Sequence, residues 1–134
     1  MSGMSNYLEQ KLLGVSLLGS AFTAVTTPYL SLATTVASDG DFFTEVATNV
    51  AYSRQPISFS APTSPNDYSV VNSVGVAFTA ATSTWGTVTH FGLHDGSVIG
   101  AGNLLYWGVL DTPRQVLTND VFEVNAGQLS VRLD

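Results

Sequence analysis

Apolar residues recur at helical spacing near the start of the chain, where Leu8, Leu12, Val15 and Leu18 stand at i, i+4, i+7 and i+10 and share one stripe. Asn6 is placed to cap this segment, with Glu9 three residues on in capping-box fashion, and Gly19 is a natural stop. The pattern predicts a helix over 6–18 behind a flexible lead at 1–5, with Gly14 weakening its second half. Beyond Gly19 the period becomes two. In "YLSLATT", Leu30 and Leu32 alternate with Tyr29 and Ser31 behind Pro28, which suits the start of a strand. A second strand runs from about Val50, is bent or placed at an edge by Pro56, and carries Ile57 and Phe59 on one face. Val74, Val76 and Phe78 align in a third.

Further strands are read in "WGTVTHFGLHDG", ending in an Asp95-Gly96 hairpin turn, and in "NLLYWGVL" from Asn103. The last two are "VFEVN" and "QLSVRLD", joined by Ala126 and Gly127; in the final one Leu129, Val131 and Leu133 face one way. Seven or eight short strands separated by Gly, Pro, Asn and Asp turns describe one mainly β domain over 1–134: an antiparallel β-sandwich or barrel, jelly-roll-like, with one N-terminal helix. The helix closes one end of the sandwich or docks on a neighbour.

Composition narrows the partners. Of 134 residues, 10 % are charged, against about 25 % in ordinary globular domains, and 45 % are apolar. A surface so poor in charge is weakly defended against self-association, so copies of the chain or a larger assembly are expected to cover it. Four basic residues against ten acidic ones give a net charge of −6, which argues against a phosphate-binding face and hence against nucleic acid. With no cysteine, neither a disulfide frame nor a thiolate metal site is available. The run "LLGVSLLGSAFTA" mimics a signal-peptide core, but Glu9 stands where a basic region belongs and two glycines interrupt it. It is also too short for a membrane span.

Both histidines lie in the "WGTVTHFGLHDG" stretch, four apart, with Asp95 beside the second. On a helix His90 and His94 would suit one metal ion; on a strand they would be about 13 Å apart, too far to share it. Two glycines, three β-branched residues and two aromatics in "WGTVTHFGL" favour the strand, so both read as ordinary strand residues. Asp39, Asp41 and Glu45 could offer oxygen ligands to calcium, yet their spacing is not that of an EF-hand loop and a solvated acidic loop is expected. No nucleophile elbow is present, and "GAGNLL" has Leu105 where a dinucleotide loop needs its third glycine. No catalytic set, cofactor or metal is expected. The adjacent Tyr106 and Trp107 must point to opposite faces of their strand, so at least one leaves the main core. Leu8, Leu12, Val15, Tyr106 and Trp107 are therefore the candidates for contact with a partner.

The order of "NYLEQKLL", "PYLSLATT", "YSRQPISF", "WGTVTHFGLHD", "GNLLYWGVL" and "GQLSVRLD" resembles a family of small tailed-bacteriophage virion structural proteins, of the capsid decoration or tail-fibre-like kind. The W-G-x-V-T-x-F-G-L-x-D run and the G-N-L-L-Y segment carry the resemblance most strongly. It implies a non-enzymatic structural β domain of the virion, assembled in the host bacterial cytoplasm, present in many copies and forming a homotrimer. The expected role is that of a capsid decoration or cement protein, which would clamp the major capsid protein or other virion proteins from the outside of the head shell. A tail-fibre or receptor-binding tip contacting host glycans is the alternative. One domain of this length, with no shaft and no heptads, favours the cement reading.

Overall fold

The period-two segments become the central strands of an antiparallel sheet. In the computed structural model, which describes residues 2–36, 43–62 and 68–133, β2 (Tyr29–Val36) lies beside β7 (Gly86–His94), and β7 beside β8 (Leu104–Val116). Short strands finish the edges. β1 (Ser2–Met4) pairs with β8, while β3 (Phe43–Glu45) and β4 (Gln55–Pro56) both pair with β2, giving the order β1-β8-β7-β2-β3 with β4 beside β2. Two antiparallel ribbons accompany this sheet: β5 (Val70–Val71) with β10 (Ser130–Val131), and β6 (Val76–Ala77) with β9 (Glu123–Val124).

The core lies between the sheet and the ribbons. Residues opposite each other in register share a face, so Leu30 with Leu93, Leu32 with Phe91 and Leu93 with Tyr106 form one continuous apolar surface. Against it pack Val76, Phe78, Phe122 and Leu129 from the ribbons, and Tyr52, Phe78 and Trp85 meet ring to ring at 5.5–6.1 Å. The chain is thus mainly β and antiparallel, a sheet layered on ribbons rather than a closed barrel. Its α-helix α1 (Asn6–Leu17) follows β1 directly.

Several boundaries differ from expectation, each for a local reason. Residues 2–4 are not a free lead, because β1 adds to the edge of β8. The helix is capped by Ser5, whose hydroxyl accepts from the Leu8 N–H at 3.2 Å, not by Asn6. Gly19 stops it as expected, at φ +68°, and Ser20 then donates to the Gly14 carbonyl beside Leu18. Asp95-Gly96 is no two-residue turn. Residues 95–103 form a longer loop, closed by Asp95 accepting from the Asn103 backbone and side chain at 2.7 and 2.9 Å. β8 continues past Leu110 through Pro113, which falls where the β7 register shifts and no ladder N–H is needed. Val74 is 60 % exposed, apart from the buried Val76 and Phe78, and Leu133 likewise leaves the face that Leu129 and Val131 keep. The last two strands join different ribbons.

Candidate assembly interface

The helix is fixed to the sheet at its N-terminus. Ser5 is buried; its N–H donates to the Leu105 carbonyl at 2.9 Å and its hydroxyl to the Leu104 carbonyl. This clamp lays the first two turns of α1 on β8, burying Leu8 and half-burying Leu12. The second half of the helix is not covered. Leu13 is 58 % exposed, Val15 44 %, Leu17 75 % and Leu18 79 %. Of the expected stripe, Leu8 and Leu12 reach the sheet, while Val15 and Leu18 stay open to solvent. The chain then runs back without regular structure over residues 19–28.

Between this returning segment, the helix and the sheet lies an open cavity of about 410 Å³. Leu8 and Leu12 form one wall, Phe22, Ala24 and Val25 another, and Leu93, Leu105 and Tyr106 the floor. The whole lining is apolar apart from the Tyr106 hydroxyl and backbone groups. From Leu12 to Ser38 the chain carries no charged side chain, so neither the cavity wall nor the exposed helix end offers a group that demands water.

Tyr106 and Trp107 take opposite faces, as adjacent strand residues must. Tyr106 is half-buried on the cavity side, and burial pushes its phenol above the usual range. Trp107 is 5 % exposed and so presents little surface to a partner, contrary to its place among the candidates. The register explains this: Gly92 on β7 and Gly3 on β1 flank it, and two missing side chains leave room for the indole. Its Nε1 has no hydrogen-bond partner among the described residues. Gly92 is needed for a further reason, since a Cβ there would sit 2.7 Å from Ser31 Oγ and 2.8 Å from Phe43 Cζ.

A polar cluster on the sheet escaped sequence reasoning. Arg54 is buried and grips Glu45 in a two-point pair, Nε to Oε2 at 2.9 Å and Nη2 to Oε1 at 2.8 Å. Its Nη1 donates to the carbonyls of Gly96 and Ala101 at 2.9 and 3.2 Å, so the guanidinium ties β3 to the 95–103 loop. Tyr52 donates to Glu45 Oε2 at 2.7 Å and accepts from the Leu32 N–H; burial, then the Glu45 charge, push its phenol far up. The signal was present. In a chain with four basic residues, one set in the half-apolar run "VAYSRQPIS" has to be paired.

His94 belongs to this cluster. Its Nδ1 lies 2.9 Å from Ser31 Oγ, and Phe43 meets its ring edge-on at 5.4 Å. Burial, reinforced by the Arg54 charge and opposed by Glu45 and Asp95, lowers its pKa to about 4. Burial would raise Asp95, but the two Asn103 hydrogen bonds outweigh it and hold the carboxyl below its ordinary value. His90 stands on the same strand, half-buried, opposite Ala33 and Val109, with its Nδ1 2.6 Å from Thr89 Oγ1. Among the described residues no three His, Asp or Glu side chains are placed to hold a metal ion. Asp39 and Asp41 lie outside the described residues; Glu45 serves the Arg54 pair.

These features are those of a scaffold: a tied loop, a braced sheet, and an apolar cavity beside an exposed apolar helix end. A family model described as "Podophage GP4 fiber I protein gp80" matches residues 3–132. A search of curated proteins finds no match for the chain.

Proposed function

The chain belongs to the podophage GP4 fiber I protein gp80 family, a family of phage virion structural proteins, and within the virion we propose that it is a building block of a fibre rather than a cement of the head shell. The family description names a fibre protein, which favours what the sequence offered as the alternative. The observation that carries an assembly role is the helix end of α1, where three leucines and a valine stand 44–79 % exposed beside an apolar cavity. A monomer gains nothing from that exposure, and a multi-copy assembly buries it. The role needs no chemistry: we read the chain as a non-enzymatic protein whose partners are copies of itself and neighbouring virion proteins. The sheet supplies a frame stiffened by the Arg54–Glu45 pair.

Copy number separates the two positions. Quantitative mass spectrometry of purified virions, scaled to the major capsid protein, is expected to give tens of copies per particle, with label at the tail in immunogold images. Hundreds of copies spread over the shell would restore the cement reading.

A further inference from the structure

We infer that the two ribbons are one arm, the folded-back end of a single long hairpin, and that this arm moves against the sheet as a unit with Asn72 as its splint. The register shows the continuity. Val70 and Val71 face Val131 and Ser130, and Val76 and Ala77 face Val124 and Glu123. Between these pairings lie residues 72–75 on one side and 125–129 on the other, four against five, so the pairing runs through with a one-residue bulge. It continues beyond β6 and β9: Phe78 donates to the Phe122 carbonyl at 2.9 Å and Ala81 to that of Asp120 at 3.0 Å. Past a bend at 82–85 and 117–119 the same two segments meet again at Gly86 and Val116, the start of the β7–β8 ladder. The outer half of this hairpin lies back over the inner half, since Val76, Phe78, Phe122 and Leu129 share one core with Leu32 and Leu93.

A bulge leaves backbone groups without ladder partners, and here one side chain satisfies them. Asn72 is 1 % exposed. Its Nδ2 donates to the carbonyls of Val74 and Asn125, both at 2.9 Å, and its Oδ1 accepts from the Leu129 N–H at 2.8 Å. Val74 leads into β6, Asn125 leaves β9 and Leu129 leads into β10, so one amide fastens both halves of the arm together. Residues 58–60 travel with it, because Ser60 donates to the Val71 carbonyl and Ser73 to that of Ser58, each at 2.9 Å.

The arm meets the sheet through apolar side chains, and on the β8 side that contact is incomplete. Open cavities of about 460 and 540 Å³ lie between β8 and the arm, the first between Tyr106 and Val131, the second between Leu110 and Leu129. Over such a gap the facing atoms forgo their dispersion attraction, whereas β2, β7 and β8 are joined by continuous ladders. The arm is therefore the less firmly held layer, and the gap sets its direction of travel about the bend. This belongs to the single chain, wherever the chain sits in the virion.

The chain has no cysteine, so pairs of introduced cysteines can carry spin labels in the full-length protein, with their separation read by pulsed electron paramagnetic resonance. Ser130→Cys with Ala77→Cys spans the two halves of the arm, and Ser130→Cys with Val109→Cys spans arm and sheet; all three positions are exposed. The pair within the arm is expected to give one narrow distance, and the arm-to-sheet pair a distribution at least about twofold wider, as hinged bodies show. Asn72→Ala is expected to widen the pair within the arm. An arm-to-sheet distance as narrow as the one within the arm would overturn the motion. Equal breadth in both would mean two ribbons that move separately, and an unaltered pair in Asn72→Ala would remove the splint. The first two pairs leave Asn72 in place, so they decide the motion even where Asn72→Ala does not fold.

Discussion

His94 stands where β7 gives way to the 95–103 loop, and its setting converts burial into a pH dependence. The unfolded chain protonates a histidine near 6.5, whereas the folded chain resists protonation until about 4, because the imidazole is buried and Arg54 lies near it. Between those values the unfolded state holds more protons. Stability from this residue is complete above about pH 6.5 and is lost as the pH falls toward 4. At about 1.4 kcal/mol per pH unit, the loss from pH 7 to pH 5 is about 2 kcal/mol. His94→Gln keeps a polar side chain beside Ser31 and removes the titration. Urea unfolding at the two pH values is expected to show wild-type stability falling by about 2 kcal/mol more than that of the variant. Equal slopes would mean that the imidazole is hydrated in the folded chain. Asp95 acts in a lower window: its carboxyl is held below its ordinary value, so its contribution fades only beneath about pH 4.

At the scale of elements, the Ser5 clamp decides where the helix sits. One hydroxyl accepts from the Leu8 N–H and donates to the Leu104 carbonyl, so it caps α1 and ties it to β8 together. Ser5→Ala removes the cap and leaves a carbonyl of a buried clamp without its donor. A loss of about 1–2 kcal/mol is expected, read from the midpoint of chemical denaturation, with helix content falling in proportion. No loss would show that β1 alone holds the helix. The same helix shows what was legible. Its existence, its stop at Gly19 and its apolar first half follow from spacing, as β2 does from its alternation and β7 from its β-branched and aromatic content. The cap was misplaced by one residue because Ser5 and Asn6 are both favoured cap types, and Glu9, three residues after Asn6, completes a capping box that Leu8, three after Ser5, does not. The far half of β8 was hidden by Pro113, whose penalty vanishes only once the register shift opposite it is known. β9 and β10 fall in segments that the alternation marks as strands, but their pairing into two ribbons was hidden, because each is two residues long and its partner lies more than forty residues away along the chain.

At the scale of the molecule, the legible part of the site was its location and the hidden part its geometry. Low charge and a leucine-rich N-terminus pointed to assembly and to the helix. They did not reveal that Trp107 is covered by its own chain, since that depends on Gly92 and Gly3 falling beside it across two strand pairings. Nor did they separate the leucines that hold the helix down from those that project. The separation has a thermodynamic consequence. If Leu13 and Leu17 are buried only against a second copy, folding and association are linked, and binding to the native state raises stability with concentration. A tenfold rise in protein then adds up to about 1.4 kcal/mol per contact, which for a chain of this length moves the thermal midpoint by roughly 3–6 °C. Scanning calorimetry of the wild type over a hundredfold concentration range is expected to show that drift at pH 7, well away from the isoelectric point near 4.4, where charge loss would drive unspecific association. A chain carrying Leu13→Lys and Leu17→Lys is expected to melt at one temperature throughout, because its core is complete without a neighbour. A midpoint that drifts equally in both would place the stabilising contact on another surface of the sheet.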